Sequence, residues 1–77
     1  MTITDIKNIE FPNITLSFAD GLIATINMED YFLGVNKPLI RKILGDEAAF
    51  NTVVLESGSL LWYGVGIDPD DVYEYAS

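Results

Sequence analysis

Asp68, Asp70, Asp71 and Glu74 form the densest run of chemically capable side chains in this sequence. Clustered carboxylates can hold a divalent cation, act as an acid/base pair, or display charge. A helix–loop–helix calcium loop needs Gly at its sixth position and a bidentate Glu at its twelfth, and neither spacing is met. Paired-carboxylate hydrolysis is open by residue type, but 77 residues leave little room for a substrate cleft as well. Asp68-Pro69-Asp70-Asp71 also reads as a helix start, with Asp68 as N-cap, Pro69 at the first helical position, and acids complementing the dipole. Charge display is the chemistry left to the outward side of that start.

Other chemistries have few residues to work with. The chain has no His, the commonest general base and metal ligand, and no Cys for thiol chemistry, disulfides or soft metal sites. A serine nucleophile lacks any G-x-S-x-G or S-x-x-K setting. Gly64-Val65-Gly66 has two glycines of a phosphate loop but not the third, and the acids beside it repel phosphate. Lys37, Arg41 and Lys42 form the one basic cluster, which reads more simply as a solvated helix face suited to a C-terminal dipole. No enzyme, metal or cofactor is therefore expected.

The net charge of −8 is unevenly spread. All four bases lie in residues 1–42, whereas residues 43–77 carry Asp46, Glu47, Glu56, Asp68, Asp70, Asp71 and Glu74 with no base. Such a half repels nucleic acid and anionic lipid and speeds encounter with basic partners. Acidity also serves solubility alone in many small proteins. Met1-Thr2-Ile3-Thr4-Asp5 lacks the basic and apolar regions of a signal peptide, and the run from Ser57 to Ile67 is too short to span a bilayer. A cytoplasmic protein with no membrane contact is expected.

The elements that must position these residues follow from periodicity. Ile3, Ile6 and Ile9 recur every third residue, which favours a bulged strand over residues 2–10. Phe11-Pro12-Asn13 is a break, and Ile14-Thr15-Leu16-Ser17-Phe18 alternates as a half-buried strand. Asp20-Gly21 suits a two-residue type I′ turn into a return strand from Leu22 to Met28. A short helix over 29–34 precedes a second one with Asn36 as N-cap, Pro38 at its start and Gly45 just past its end. Asp46 then caps another short helix through Phe50. Thr52–Glu56 and Leu60–Tyr63 make a second hairpin about Ser57-Gly58, and Gly64 and Gly66 permit a sharp corner before the last helix. Trp62 alternates with Leu60, which makes it core. Tyr63, Tyr73 and Tyr75 neighbour acids and suit a contact patch, because Tyr is enriched at interface centres.

The order of these signals resembles a small bacterial domain-of-unknown-function family, number 2442. Leu16-Ser17-Phe18-Ala19-Asp20-Gly21 is similar to that family's L-x-F-x-D-G element, and Ile26-Asn27-Met28 to the next, with Asn for the usual Asp. Leu44-Gly45-Asp46 with Phe50, then Leu60-Leu61-Trp62 and Pro69-Asp70-Asp71-Val72-Tyr73, resemble the last elements. Tyr63-Gly64 departs from the family's Pro-Asn-Gly, and Gly66 falls near a position commonly Asp. The resemblance implies a compact α+β domain, antitoxin-like or regulatory, here without the helix-turn-helix extension that some members carry.

The expectation is one α+β domain over residues 1–77, an antiparallel sheet of four or five strands built from two hairpins, with short helices on one face. The expected function is a non-enzymatic acidic protein, monomer or homodimer, that occludes a basic and nucleic-acid-binding protein surface, without binding nucleic acid itself. A DNA-mimicking inhibitor such as an anti-CRISPR protein, or an antitoxin, fits that description. Asp68, Asp70, Asp71 and Glu74 would supply the potential, Asp46, Glu47 and Glu56 would extend it, and Tyr63 and Tyr73 would add contact area. The alternatives are a regulatory or structural module whose acidity serves only solubility and, more remotely, a metal-dependent hydrolase.

Overall fold

A computed structural model describes residues 1–77. Strand β1 (Ile3–Glu10) pairs antiparallel with β2 (Asn13–Phe18), which pairs antiparallel with β3 (Ile23–Asn27). Three helices follow, α1 (Met28–Tyr31), α2 (Pro38–Gly45) and α3 (Glu47–Phe50). Strands β4 (Val54–Glu56), β5 (Ser59–Trp62) and β6 (Val65–Gly66) then form a second antiparallel sheet, and α4 (Pro69–Ala76) closes the chain.

This α+β arrangement corrects the expectation of a single sheet of four or five strands: there are two separate three-stranded sheets. Each hairpin gains its third strand from its own neighbourhood, β1 on β2 and β6 on β5. The sheets meet where the start of β1 touches the tip of the second hairpin, through the Ile3 amide to the Gly58 carbonyl at 2.9 Å. A strand meeting a turn end-on cannot propagate a ladder, so the sheets stay distinct.

The three-residue period of β1 has a physical cause. Its register against β2 shifts between Ile3 and Asp5 and again between Ile6 and Asn8. Each bulge inserts an extra residue and so turns the two-residue alternation into a spacing of three. Ile3 is thereby buried and Ile6 and Ile9 half-buried against the same core. In β2 the alternation is regular, with Ile14, Leu16 and Phe18 buried.

Turn chemistry differs from expectation at three places. At Asp20-Gly21 only Gly21 has positive φ (93°), so the turn is not type I′. The Gly21 amide donates to the Phe18 carbonyl at 2.9 Å and the Phe18 amide to the Leu22 carbonyl at 2.8 Å, giving a three-residue loop ending in a left-handed glycine. The paired positive φ values stand instead at Ser57 (52°) with Gly58 (81°), and at Tyr63 (51°) with Gly64 (80°). The second pair makes a tight turn from Trp62 to Val65 that folds the chain back as β6, where a sharp corner leading into the last helix was expected. Around α2, Lys37 occupies the N-cap position without a side-chain cap, while Asn36 accepts a hydrogen bond from Arg41. Gly45 is the last helical residue, and Asp46 follows it directly, capping α3 through the Ala48 amide at 3.0 Å.

One buried cluster holds both sheets together. It joins Ile14, Leu16 and Phe18 of β2 to Phe50 of α3, Leu60 and Trp62 of β5, and Val72 of α4. Trp62 is 1% exposed, and its Nε1 donates to the Phe50 carbonyl at 2.8 Å. That bond fixes the indole between the two halves of the chain, as an amphipathic aromatic at the centre of a small core requires.

Candidate functional site

The last helix begins as its sequence dictates. Asp68 Oδ1 accepts from the Asp70 amide at 2.9 Å, and Pro69 needs no amide partner at the first position. Val72 is the residue this helix buries completely. Asp68, Asp70, Asp71 and Glu74 are all exposed. Asp70 forms an ion pair with the Met1 ammonium, and no such pair engages Asp68, Asp71 or Glu74. No set of three or more carboxylates converges in cation-binding geometry.

The remaining residues expected at the patch are scattered. Asp46 and Glu47 lie at the start of α3 and Glu56 at the end of β4, all exposed but joined to α4 by no hydrogen bond or ion pair. Tyr73 is half-buried: its ring stands edge-on to Phe18 at 5.1 Å and its hydroxyl donates to the Asp20 carboxylate. It ties α4 to the β2–β3 loop through a hydroxyl that is already engaged. Tyr63 is exposed on its turn, and the Lys42 ammonium sits 4.9 Å from its ring centroid, a cation–π contact across from α2. Tyr75, also half exposed, stacks edge-on with Tyr31 at 5.3 Å.

Sequence reading missed a cavity of about 670 Å³ that opens between the α1–α2 loop, β6 and the start of α4. Phe32, Ile40 and Trp62, all buried, form its floor. Val35 and Val65 flank it, each a valine with 40% or more of its surface exposed. Asp68 and Asp71 stand at one side of the mouth, and Lys37 lines it from the start of α2. The size is that of a small-ligand or side-chain pocket. The detectable signal was a set of apolar residues in or beside short segments, Val35 before α2, Val65 in the two-residue β6 and Ile67 just after it.

The electrostatics of the mouth register in Tyr31, whose phenol pKa lies above its ordinary 10.0. Burial is the first cause, and the nearby Asp71 and Asp68 carboxylates, which oppose a phenolate, follow. Chemically this arrangement has an apolar recess with two carboxylates, Asp68 and Asp71, on its α4 side and Lys37 at the start of α2, none of them ion-paired. It holds no nucleophile–base pair.

Comparison with known proteins gives no match to any family model, curated protein or solved structure. No helix is long and apolar enough to cross a membrane.

Proposed function

We propose that this chain is a non-enzymatic acidic binding protein that docks on a basic surface of another protein, in the cytoplasm, and occludes it. The observation that carries this reading is the exposure of Asp68, Asp71 and Glu74 on one helix with no intramolecular cation to neutralise them. Side chains already paired within the fold would have to break those pairs to bind; these do not. The net charge of −8 adds long-range steering toward a positive partner. A nucleic-acid-binding effector or toxin is the partner class whose function such a surface would block, so a DNA-mimicking inhibitor, an anti-CRISPR protein included, or an antitoxin is the finer form. The resemblance to family 2442 favours the antitoxin form. The docking surface is narrower than the whole acidic half: Asp68, Asp71 and Glu74 form its centre, while Tyr73 is occupied by Asp20.

The test is capture of host proteins on the wild-type chain and on an Asp71→Lys, Glu74→Lys variant at low and high salt. A basic partner retained only by the wild type, and released by salt, is the expected result. A partner retained equally by both chains and at both salt concentrations overturns the charge-display reading. A regulatory homodimer is the second reading, favoured by exposed Leu33, Val35 and Val65; sedimentation of the unbound chain distinguishes it.

A further inference from the structure

We infer that the cavity between the α1–α2 loop, β6 and α4 is a receptor for a bulky apolar side chain of the protein partner, presented on a segment with Lys or Arg beside that anchor. The inference rests on the proposed docking of a basic partner and specifies what the partner must carry. Its ground is the combination of recess and charge. The floor of Phe32, Ile40 and Trp62 offers no hydrogen-bonding side chain except the indole N–H, which the Phe50 carbonyl already takes. A polar occupant would lose its hydration there without replacement, whereas an aliphatic or aromatic group would not.

The mouth decides which apolar segment fits. Asp68 and Asp71 lie against the recess with no cation paired to them, so a residue entering the recess brings its neighbours within reach of two carboxylates. Basic neighbours complement that charge; acidic ones are repelled. Lys37 lines the recess as well but from the start of α2, leaving the α4 side as the negative one. Val35 and Val65 extend apolar surface beyond the recess, giving the flanks of such a segment somewhere to lie. An apolar anchor enclosed by a rim that excludes water is the arrangement in which one side chain supplies most of a binding energy. A second copy of this chain is a poorer occupant, because each copy brings a charge of −8 to the contact.

The test uses a random peptide library displayed on phage, selected against the immobilised full chain and counter-selected against a Val65→Lys variant. Val65 is exposed, so the substitution blocks the recess without touching the core, and an amide proton–nitrogen spectrum checks that the variant is folded. The expected enrichment is an aliphatic or aromatic residue with Lys or Arg within one or two positions. A selected peptide should quench or shift the fluorescence of Trp62, the chain's one tryptophan. It should lose at least about tenfold in affinity when the anchor becomes Ala, a loss typical of an interface hot spot. Asp71→Asn should weaken the peptide at low salt and have less effect at high salt. Enriched peptides that are basic but lack an apolar anchor would overturn the recess and leave charge display standing. Apolar peptides indifferent to flanking charge and to Asp71→Asn would overturn the basic partner itself. No enrichment over the Val65→Lys variant, or concentration-dependent self-association abolished by that variant, would overturn the inference outright.

Discussion

The phenol of Tyr73 donates a hydrogen bond to the Asp20 carboxylate, closing α4 onto the loop between β2 and β3 across most of the length of the chain. The same carboxylate accepts from the Leu22 amide at 3.0 Å, so one Asp both shapes its own loop and receives the last helix. The bond moves both titrations. Asp20 is held below its ordinary 3.8, first by Tyr73 and then by the Leu22 amide, and Tyr73 is pushed above its ordinary 10.0, first by its bond to Asp20.

Stability should therefore fall at both ends of the pH scale. Asp20 has a lowered folded pKa, so its contribution is complete above 3.8 and is lost as pH falls through the folded value. Tyr73 has a raised folded pKa, so its contribution is complete below 10.0 and is lost as pH rises through the folded value. Tyr73→Phe keeps the edge-on contact with Phe18 and deletes the bond. Urea midpoints from pH 2 to pH 11 should show that the variant is less stable at neutral pH and that both limbs flatten. Unchanged limbs would mean that the bond does not form in solution.

Asp71 should control the alkaline titration of Tyr31. Burial is the leading reason that this phenol resists ionising, and it persists in an Asp71→Asn variant, as does the Asp68 contribution; only the Asp71 contribution is lost. In a Tyr73→Phe background, which removes the other raised phenol, absorbance titration should show the slowest-ionising tyrosine moving to lower pH on Asp71→Asn, while staying above 10.0. An unmoved titration would separate α4 from the mouth of the cavity.

Local chemistry was the legible part of this sequence. Asp68-Pro69 starts α4 and Asp46 starts α3 because side-chain caps act within three residues of themselves. The Ile3, Ile6, Ile9 spacing announced a bulged strand because the core requires all three on one side. Tyr63-Gly64 was harder to read: Tyr rarely adopts positive φ, so nothing in its identity marks the turn that makes β6 and, with it, one wall of the cavity. The division into two sheets was not legible, since it depends on where Ile3 meets Gly58, a contact between the two ends of the topology. The bond of the Tyr73 hydroxyl to Asp20 was illegible for the same reason. Its partner Asp20 is remote in sequence, and a tyrosine beside acids looks the same whether its hydroxyl faces out or is taken.

Trp62→Phe should cost more than the loss of ring area. The substitution removes the indole donor from the Phe50 carbonyl and leaves it only the Val53 amide at 3.3 Å, at a site where Phe50 and Trp62 are both buried. Loss of one buried hydrogen bond costs about 0.5–1.5 kcal/mol. A domain of this length has roughly 4–12 kcal/mol in all, and each kcal/mol shifts the melting temperature by about 4–8 °C. Circular dichroism melts should thus show a drop of at least about 2 °C, with Trp62→Ala far more severe. A melt within a degree of wild type would rule out the indole as the link between the two halves of the core.

Gly58 and Gly64 provide a matched comparison of conformational strain with and without steric conflict. Both have φ near +80°, in turns whose preceding residue is also left-handed. Placing a methyl group at Gly64 meets nothing within 4 Å, so Gly64→Ala carries only the left-handed backbone cost of about 1–2 kcal/mol. At Gly58 the same methyl would lie 2.9 Å from both Cβ and Cγ2 of Thr2, too close for any real side chain. Relief requires the start of β1 to move, and the Gly58 carbonyl is where Ile3 bonds to join the two sheets. Gly58→Ala should therefore destabilise by more than Gly64→Ala and should speed amide exchange at Ile3, which Gly64→Ala should leave alone. A Gly58→Ala, Thr2→Gly double variant should recover the steric part while retaining the backbone part. Equal costs for the two single variants would show that β1 does not press on the tip of the second hairpin.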